Sequence, residues 1–236
     1  MLSPDFYCLY VDGLLERLRK TDKGCYFINR FAAALFYADD MAILAPSVRG
    51  IMTLLQICGE YCMEFDICLN AEKSKLMYFG KKTSISCVVT MNDKIIQWTN
   101  ECKYLGVTLK TGKSFGCSTA ERVKKFYRCL NSILRIEGQS TDVVMLRLLE
   151  THCVPLLTYA IEIIHVANQD ERRQLRVAYN SVFRKIFGYR RSESVTALQH
   201  FLNRPTWEEL IAKRRSGFVQ RLNSCGQCSL ALALLK

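Results

Sequence analysis

The 236-residue chain carries 33 Lys and Arg against 22 Asp and Glu, a formal net charge of +11, and half of its residues are apolar. That is enough for one large domain or two modest ones around an ample core, and twelve cysteines at this size do not make a small disulfide-framed scaffold. The charge is uneven: residues 1–100 balance, residues 101–169 carry +3 and residues 170–236 carry +8. Such a gradient suits a neutral, chemically active half joined to a basic half that holds a polyanion, or a basic surface with no dedicated partner.

In chain order, Ser3 and Pro4 open a helix, with Ser3 as cap and an apolar face of Phe6, Leu9, Tyr10, Leu14 and Leu18. Cys25 to Ile28 and Phe31 to Tyr37 read as strands around an Asn29-Arg30 turn, and Met41 to Leu44 as the returning strand. Ser47 to Phe65 is helical, with Ile51, Leu54, Leu55, Cys58, Tyr61, Cys62 and Phe65 on one face. Short strands at Ile67 to Leu69 and Lys75 to Phe79 flank the turn Asn70-Ala71-Glu72-Lys73-Ser74. A hairpin through Asn92-Asp93 joins Cys87–Met91 to Ile95–Trp98, and Lys103 to Leu109 is a further strand. Beyond Gly116 the pattern is helical, with breaks near Gly138, Pro155, Asn168, Gly188 and Pro205. The fold class is therefore α+β, a mixed part over residues 1–112 followed by an all-α part over 113–236.

Cys58, Cys62, Cys68, Cys87, Cys129 and Cys153 fall inside apolar runs and read as small core residues. Asp5 and Asp12 break the first apolar stretch, so it does not read as a secretory signal. Val143 to Val166 is interrupted by Arg147, Glu150, His152 and Glu162 and fails as a membrane span. The expectation is a reducing compartment, nucleus or cytoplasm, without secretion or membrane insertion. Cys225 and Cys228 supply half a zinc site and read as a chance pair, while His152 and His165 read as core residues.

The chemistry-bearing feature is Tyr37-Ala38-Asp39-Asp40, set between the apolar runs Phe31–Phe36 and Met41–Ala45. Adjacent carboxylates repel and each loses water, so the pair persists most readily where a divalent cation binds. Both arms are nearly continuous apolar runs, which predicts a sheet covered on its flanks and a tip that alone meets solvent or ligand. Successive strand side chains face opposite ways, so the two aspartates should have unequal roles. The bland alternative is a charged tip that solubilises a turn.

These stretches, in order, resemble the reverse transcriptases of non-LTR (LINE-type, jockey/CR1-like) retrotransposons. The matching motifs are Leu2-Ser3-Pro4 with Phe6, Tyr10, Val11 and Asp12, then Phe36-Tyr37-Ala38-Asp39-Asp40, Asn70-Ala71-Glu72-Lys73-Ser74-Lys75 and Lys103-Tyr104-Leu105-Gly106-Val107. The resemblance implies a partial polymerase palm, an antiparallel sheet with packed helices, over residues 1–112 and a basic thumb-like region over 113–236. It makes Asp39 the direct Mg²⁺ ligand and Asp40 its companion, with two ions serving nucleotidyl transfer in the intact family. Tyr37 would pack near the primer end, and Lys73 would lie near the incoming nucleotide, although a solvated turn lysine explains it equally. Lys103, Tyr104, Leu105 and Gly106 would grip the primer.

Lys124, Lys125, Arg128, Arg172, Arg173, Arg176, Arg184 and Lys185 would hold nucleic-acid phosphates, and Arg190 and Arg191 follow them. Tyr127, Tyr179 and Tyr189 interleave with them and could stack on a sugar or base, though core packing is the commoner role. The implied partners are an RNA template, a DNA primer and deoxynucleoside triphosphates. The chain departs from the family at its start: the Gln-Gly pair before Leu-Ser-Pro, the fingers and an earlier catalytic aspartate have no counterpart, and Asp5 and Asp12 lie on the first helix. The sequence thus predicts a truncated polymerase, inactive alone unless an upstream exon or partner chain supplies the missing strand. The competing readings are a non-catalytic nucleic-acid-binding module and a structural remnant.

Overall fold

The computed structural model describes residues 3–81, 87–113, 116–135, 141–164 and 169–224. These fall into two compact units, residues 3–78 with 87–99 and residues 79–81 with 100–224. The architecture is α+β: small sheets and their helices come first, and helices dominate after residue 119.

In the first unit, α1 (Ser3–Arg19) and α2 (Val48–Glu64) pack with the hairpins β1 (Tyr26–Phe27) with β2 (Arg30–Phe31) and β3 (Ala34–Tyr37) with β4 (Asp40–Ile43). Ser47 caps α2 by accepting from the Gly50 amide at 3.1 Å, satisfying one of the helix's orphan donors. Two faces of α2 are apolar. Leu54, Cys58 and Tyr61 pack with Leu14 and Leu18 of α1 and with Phe36, Met41 and Ile43 of the β3–β4 hairpin. Val48, Ile51 and Leu55 pack against β5 (Lys75–Leu76), β6 (Val89–Met91) and β7 (Lys94–Trp98), ordered β5-β7-β6 with β5 parallel to β7.

The buried stripe of α1 is Val11, Leu14 and Leu18, while Leu9 and Tyr10 are exposed. The predicted face was rotated because the Tyr61 hydroxyl donates to the Tyr10 carbonyl, bringing backbone against α2 and turning the Tyr10 ring edge-on to Phe65. The Phe6 side chain lies outside the described set. No strand forms at Ile67–Leu69, and β5 stops at Leu76. The Asn92-Asp93 hairpin forms with φ of +49° and +60°, the left-handed pair that tight hairpins favour.

In the second unit, β8 (Glu101–Tyr104), β9 (Val107–Lys110) and β10 (Gly116–Ser118) make an antiparallel meander, order β10-β9-β8. The single strand predicted over Lys103–Leu109 is thus a hairpin, reversing at Leu105-Gly106. After it, α3 (Ala120–Leu134), α4 (Asp142–His152), α5 (Val154–Thr158), α6 (Ile161–Ile164), α7 (Gln169–Ile186), α8 (Thr196–Phe201) and α9 (Trp207–Ser224) follow. Phe126, Leu130, Leu149, Leu157, Leu175 and Phe183 form the centre of their core, with Trp207 and Ile211 joining from α9.

Cys58, Cys62 and Cys153 are buried as expected, but Cys68 and Cys87 are exposed because their segments form no buried strand. His152 is exposed at the end of α4, not in the core. His165, Gly138, Asn168 and the Cys225–Cys228 pair lie outside the described residues. No helix among the described residues is long and apolar enough to cross a membrane.

Candidate active site and nucleic-acid surface

The β3–β4 hairpin pairs Ala34 with Ile43, Leu35 with Ala42, Phe36 with Met41 and Tyr37 with Asp40, leaving Ala38-Asp39 as its tip. Asp40 is therefore a strand residue and Asp39 a turn residue, and both are exposed. Alternation sends Ala34, Phe36, Met41 and Ile43 to the core and Leu35, Tyr37, Asp40 and Ala42 to the other face. That second face is open: Leu35 is 43% and Tyr37 65% exposed. The near-continuous apolar arms predicted a sheet covered on both flanks. The hairpin instead forms a two-stranded sheet of its own with one apolar face uncovered.

The base of this hairpin is fixed. Leu44 donates to the Ala33 carbonyl at 2.7 Å, Cys25 to Leu44 at 3.0 Å and Ala32 to Cys25 at 2.9 Å. Gly24, at φ +106°, permits the approach: a Cβ there would stand 2.3 Å from that of Ala33. The tip is less comfortable, for Ala38 has φ +49°, in the left-handed region that costs a side-chain-bearing residue about 1–2 kcal/mol. A hydrogen-bonded base thus presents two exposed carboxylates, Asp39 and Asp40, on a strained tip. Carboxylate oxygens of this kind suit Mg²⁺, which binds through one or two carboxylates while keeping waters and substrate phosphates. Among the described residues no group of three or more His, Cys, Asp or Glu side chains gathers to hold a metal.

Lys73 sits exposed in the turn before β5. Asn70 shapes that turn: its Oδ1 accepts from the Lys73 amide at 3.1 Å, and its carbonyl accepts from the Ser74 amide and hydroxyl at 3.1 and 2.8 Å. The lysine side chain is left clear of the turn's own bonding.

In the second unit, Lys103 and Tyr104 end β8, and Leu105 and Gly106 make the turn at φ +45° and +76°. Leucine is a poor left-handed residue, and the conformation is held from 54 residues away: the Tyr159 hydroxyl donates to the Leu105 carbonyl at 2.8 Å. Its ring covers Gly106, where a Cβ would come within 3.1 Å of Tyr159 Cε1. Arg122 completes the clamp by donating to the Tyr159 carbonyl and placing its guanidinium 5.8 Å from the Tyr159 ring centre. Burial pulls the Arg122 guanidinium below its usual range, partly offset by Cys117, Tyr159 and Glu171. Burial also pushes the Glu171 carboxyl up, opposed by Lys110 and Arg122. Sequence reasoning missed Arg122 and Tyr159. Arg122 left a signal, a charge on the apolar stripe Arg122, Phe126, Leu130 and Ile133 of α3; Tyr159 left none.

The basic residues of the helices separate into surfaces. Lys124, Lys125 and Arg128 are exposed on α3. Lys185 of α7 points to that helix, its Nζ 3.0 Å from Asn131 Oδ1. Arg172, Arg173 and Arg176 line a groove between α7 and α9, and Arg184 lines a neighbouring cleft with Arg176. Of the interleaved tyrosines, Tyr179 is core, its hydroxyl donating to the Pro205 carbonyl at 2.8 Å; Tyr127 packs edge-on to Phe126, and Tyr189 is exposed.

Comparison with known proteins agrees with the motif order. Residues 1–109 match the family reverse transcriptase (RNA-dependent DNA polymerase). The chain is 26% identical over 204 residues to the probable RNA-directed DNA polymerase from transposon BS of Drosophila melanogaster, covering 82% of this chain and 22% of that protein. It is 25% identical over 161 residues to the RNA-directed DNA polymerase from mobile element jockey of Drosophila funebris, covering 64% of this chain and 18% of that protein. The jockey polymerase of Drosophila melanogaster is 20% identical over 200 residues, covering 79% of this chain and 21% of that protein. The chain thus spans about a fifth of the length of these relatives. No solved structure matches it. The hairpin acids, the Asn70-shaped turn and the Lys103–Val107 motif thus fall, in that order, within the stretch that matches the reverse transcriptase family, and the polymerases to which the chain is similar are those of transposon BS and jockey.

Proposed function

We propose that this chain is the palm-and-thumb portion of an RNA-directed DNA polymerase, with residues 1–112 as partial palm and 113–236 as a thumb-like nucleic-acid-binding region. Asp39 and Asp40 hold Mg²⁺, Lys73 offsets charge on the incoming deoxynucleoside triphosphate, and Tyr37 lies against the primer end. The Lys103–Gly106 hairpin supports the primer, and the basic helical residues hold the phosphates of an RNA template and DNA primer. When bound, the metal lowers the pKa of an attacking hydroxyl and neutralises phosphate charge. The chain's own part is to fix the carboxylates, orient the primer and supply cations.

The observation that carries this reading is the hairpin tip: two adjacent exposed carboxylates on a strained turn whose base is bonded at three points. Two carboxylates on one tip furnish ligands for one ion, and in-line transfer with two ions needs more. The pure chain is therefore expected to bind metal and primer–template without extending the primer, a further ligand strand coming from an upstream exon or a partner chain.

Manganese binding followed by electron paramagnetic resonance tests this directly. Wild-type chain should bind Mn²⁺, with Mg²⁺ competing, and Asp39→Ala should abolish it. Template-dependent primer extension by the chain alone would overturn the expected inactivity. Salt-sensitive primer–template binding with no metal site would favour the non-catalytic nucleic-acid-binding reading, which the basic helices support independently.

A further inference from the structure

Two cysteines that the apolar pattern assigned to the core are brought together by the helices of the second unit. Cys129 lies on α3, partly buried, and Cys153 is fully buried at the bend between α4 and α5. Their Sγ atoms stand 3.2 Å apart, although 24 positions separate them in sequence. Both thiols are free. Reacting atoms about 3–3.5 Å apart are already in near-attack range, and a disulfide of about 2.05 Å asks for roughly 1 Å of further approach.

The packing holds both sulfurs in place. Phe126 and Leu130 of α3, Leu149 of α4 and Leu157 of α5 are fully buried with Cys153 in one core. The bend is bonded through its backbone: the Cys153 amide donates to the Leu149 carbonyl at 2.9 Å, and the Leu156 amide to the Cys153 carbonyl at 3.0 Å. Burial pushes the Cys153 thiol up, and its contact with Cys129 adds to the rise. The reduced pair is therefore not stabilised as a thiolate, the feature that makes some disulfides easy to reduce. Cys129, the less buried sulfur, is the one a reagent reaches first. The same two segments are already joined once. Arg122, about two turns before Cys129 on α3, donates to the carbonyl of Tyr159, just past α5.

We propose that Cys129 and Cys153 are a redox-responsive pair, closed by a small-molecule disulfide of the glutathione class, and that the bond braces α3 against the α4–α5 bend. The Cys129 thiolate attacks one sulfur of the small disulfide, expelling one thiolate and leaving a mixed disulfide. Cys153 then gives its proton to solvent base and attacks Cys129 Sγ, expelling the second thiolate. Two protein thiols are oxidised, and one small disulfide is reduced to two thiols. In a reducing compartment such a bond is transient and reports oxidation. The pair and its chemistry are independent of the polymerase reading.

The test is oxidation of the folded full chain by glutathione disulfide, blocking of the remaining thiols, trypsin digestion and mass spectrometry. Trypsin leaves each cysteine alone on its peptide, residues 129–135 and 148–172, so the linked product identifies itself. It should be the dominant cross-link, disappear on treatment with dithiothreitol and be absent from Cys129→Ala. Closing a loop of about 25 residues should also raise the urea midpoint of the helices, followed by circular dichroism, by roughly 1–2 M in wild type and not in Cys129→Ala. A folded chain whose other cysteines react while Cys129 and Cys153 stay unlinked would overturn the pair, as would a link that forms only in urea. An oxidised midpoint no higher than the reduced one, with the link in place, would overturn the brace.

Discussion

Gly106→Ala isolates the contact between the Leu105-Gly106 turn and Tyr159. Two terms add. The first is backbone: at φ +76° a side-chain-bearing residue costs about 1–2 kcal/mol, offset by about 0.4–1 kcal/mol because alanine stiffens the unfolded chain. The second is steric: the new methyl would stand 3.1 Å from Tyr159 Cε1 and 3.5 Å from Cζ and Oη. The ring cannot swing aside freely, because its hydroxyl is bonded to the Leu105 carbonyl, a bond worth about 0.5–1.5 kcal/mol net. Together these give a loss of about 1–2.5 kcal/mol in wild type. In a Tyr159→Ala background only the backbone term remains, about 0.5–1 kcal/mol, so the double-mutant cycle should return a coupling of about 0.5–1.5 kcal/mol. Tyr159 is itself half exposed and lies outside the buried core of the helices, so its truncation removes the clamp without opening that core. The assay is urea unfolding read by indole fluorescence in a Trp98→Phe background. The two tryptophans then reduce to Trp207, which reports the unit that holds the turn. A coupling indistinguishable from zero would refute the clamp.

Two further outcomes follow from the same unit. The Glu171 carboxyl is raised by burial, so the folded state binds the extra proton; its contribution is fully present below the unfolded pKa and is lost as pH rises through the folded one. The stability of Glu171→Gln relative to wild type should therefore grow from the ordinary carboxylate range, near 4.5, toward neutrality, and a flat difference in urea midpoints across that window would contradict it. Leu149, fully buried among the helices, should lose about 2–5 kcal/mol on truncation to alanine, measured by the same Trp207 signal, and a loss within the surface range of about 0.5 kcal/mol would show that the core there is not packed as described.

Where local chemistry decided the structure, the sequence was legible. Ser47 at a capping position and the apolar spacing to Phe65 fixed α2 at both ends. Asn92-Asp93, both tolerant of positive φ, fixed the β6–β7 hairpin. Where a distant residue decided it, the sequence was silent. Gly106 marks a turn locally, but Leu105 does not favour its φ of +45°, and the Tyr159 hydroxyl that bonds its carbonyl comes after a gap no pattern spans. The continuous apolar arms of β3–β4 concealed a one-sided sheet because Leu35 and Tyr37 look buried by type and are exposed by position. For the candidate site, the motif order singled out Asp39, Asp40 and Lys73 as candidates, and the fold places all three on exposed turns or strand ends. The division of the basic residues between α3 and the α7–α9 groove depends on which helix faces meet, and that required the fold.

The hairpins of this chain also bear on why the acids sit where they do. At β6–β7 the turn uses Asn and Asp, residues that reach positive φ cheaply, and the design is locally consistent. At β3–β4 the tip combines three unfavourable choices: alanine at φ +49°, where glycine would relax the backbone, two adjacent carboxylates, and an uncovered face bearing Leu35 and Tyr37. None of these stabilises the hairpin. Its stability comes from below, from the buried face of Phe36, Met41 and Ile43 on α1 and α2. A segment that concentrates strain and repulsion on one side while a packed core over-determines it from the other is shaped for what it presents. On the function proposed above, the ligand that offsets the repulsion is a divalent cation carrying phosphate, and its loss in Asp39→Ala is the result that this arrangement requires.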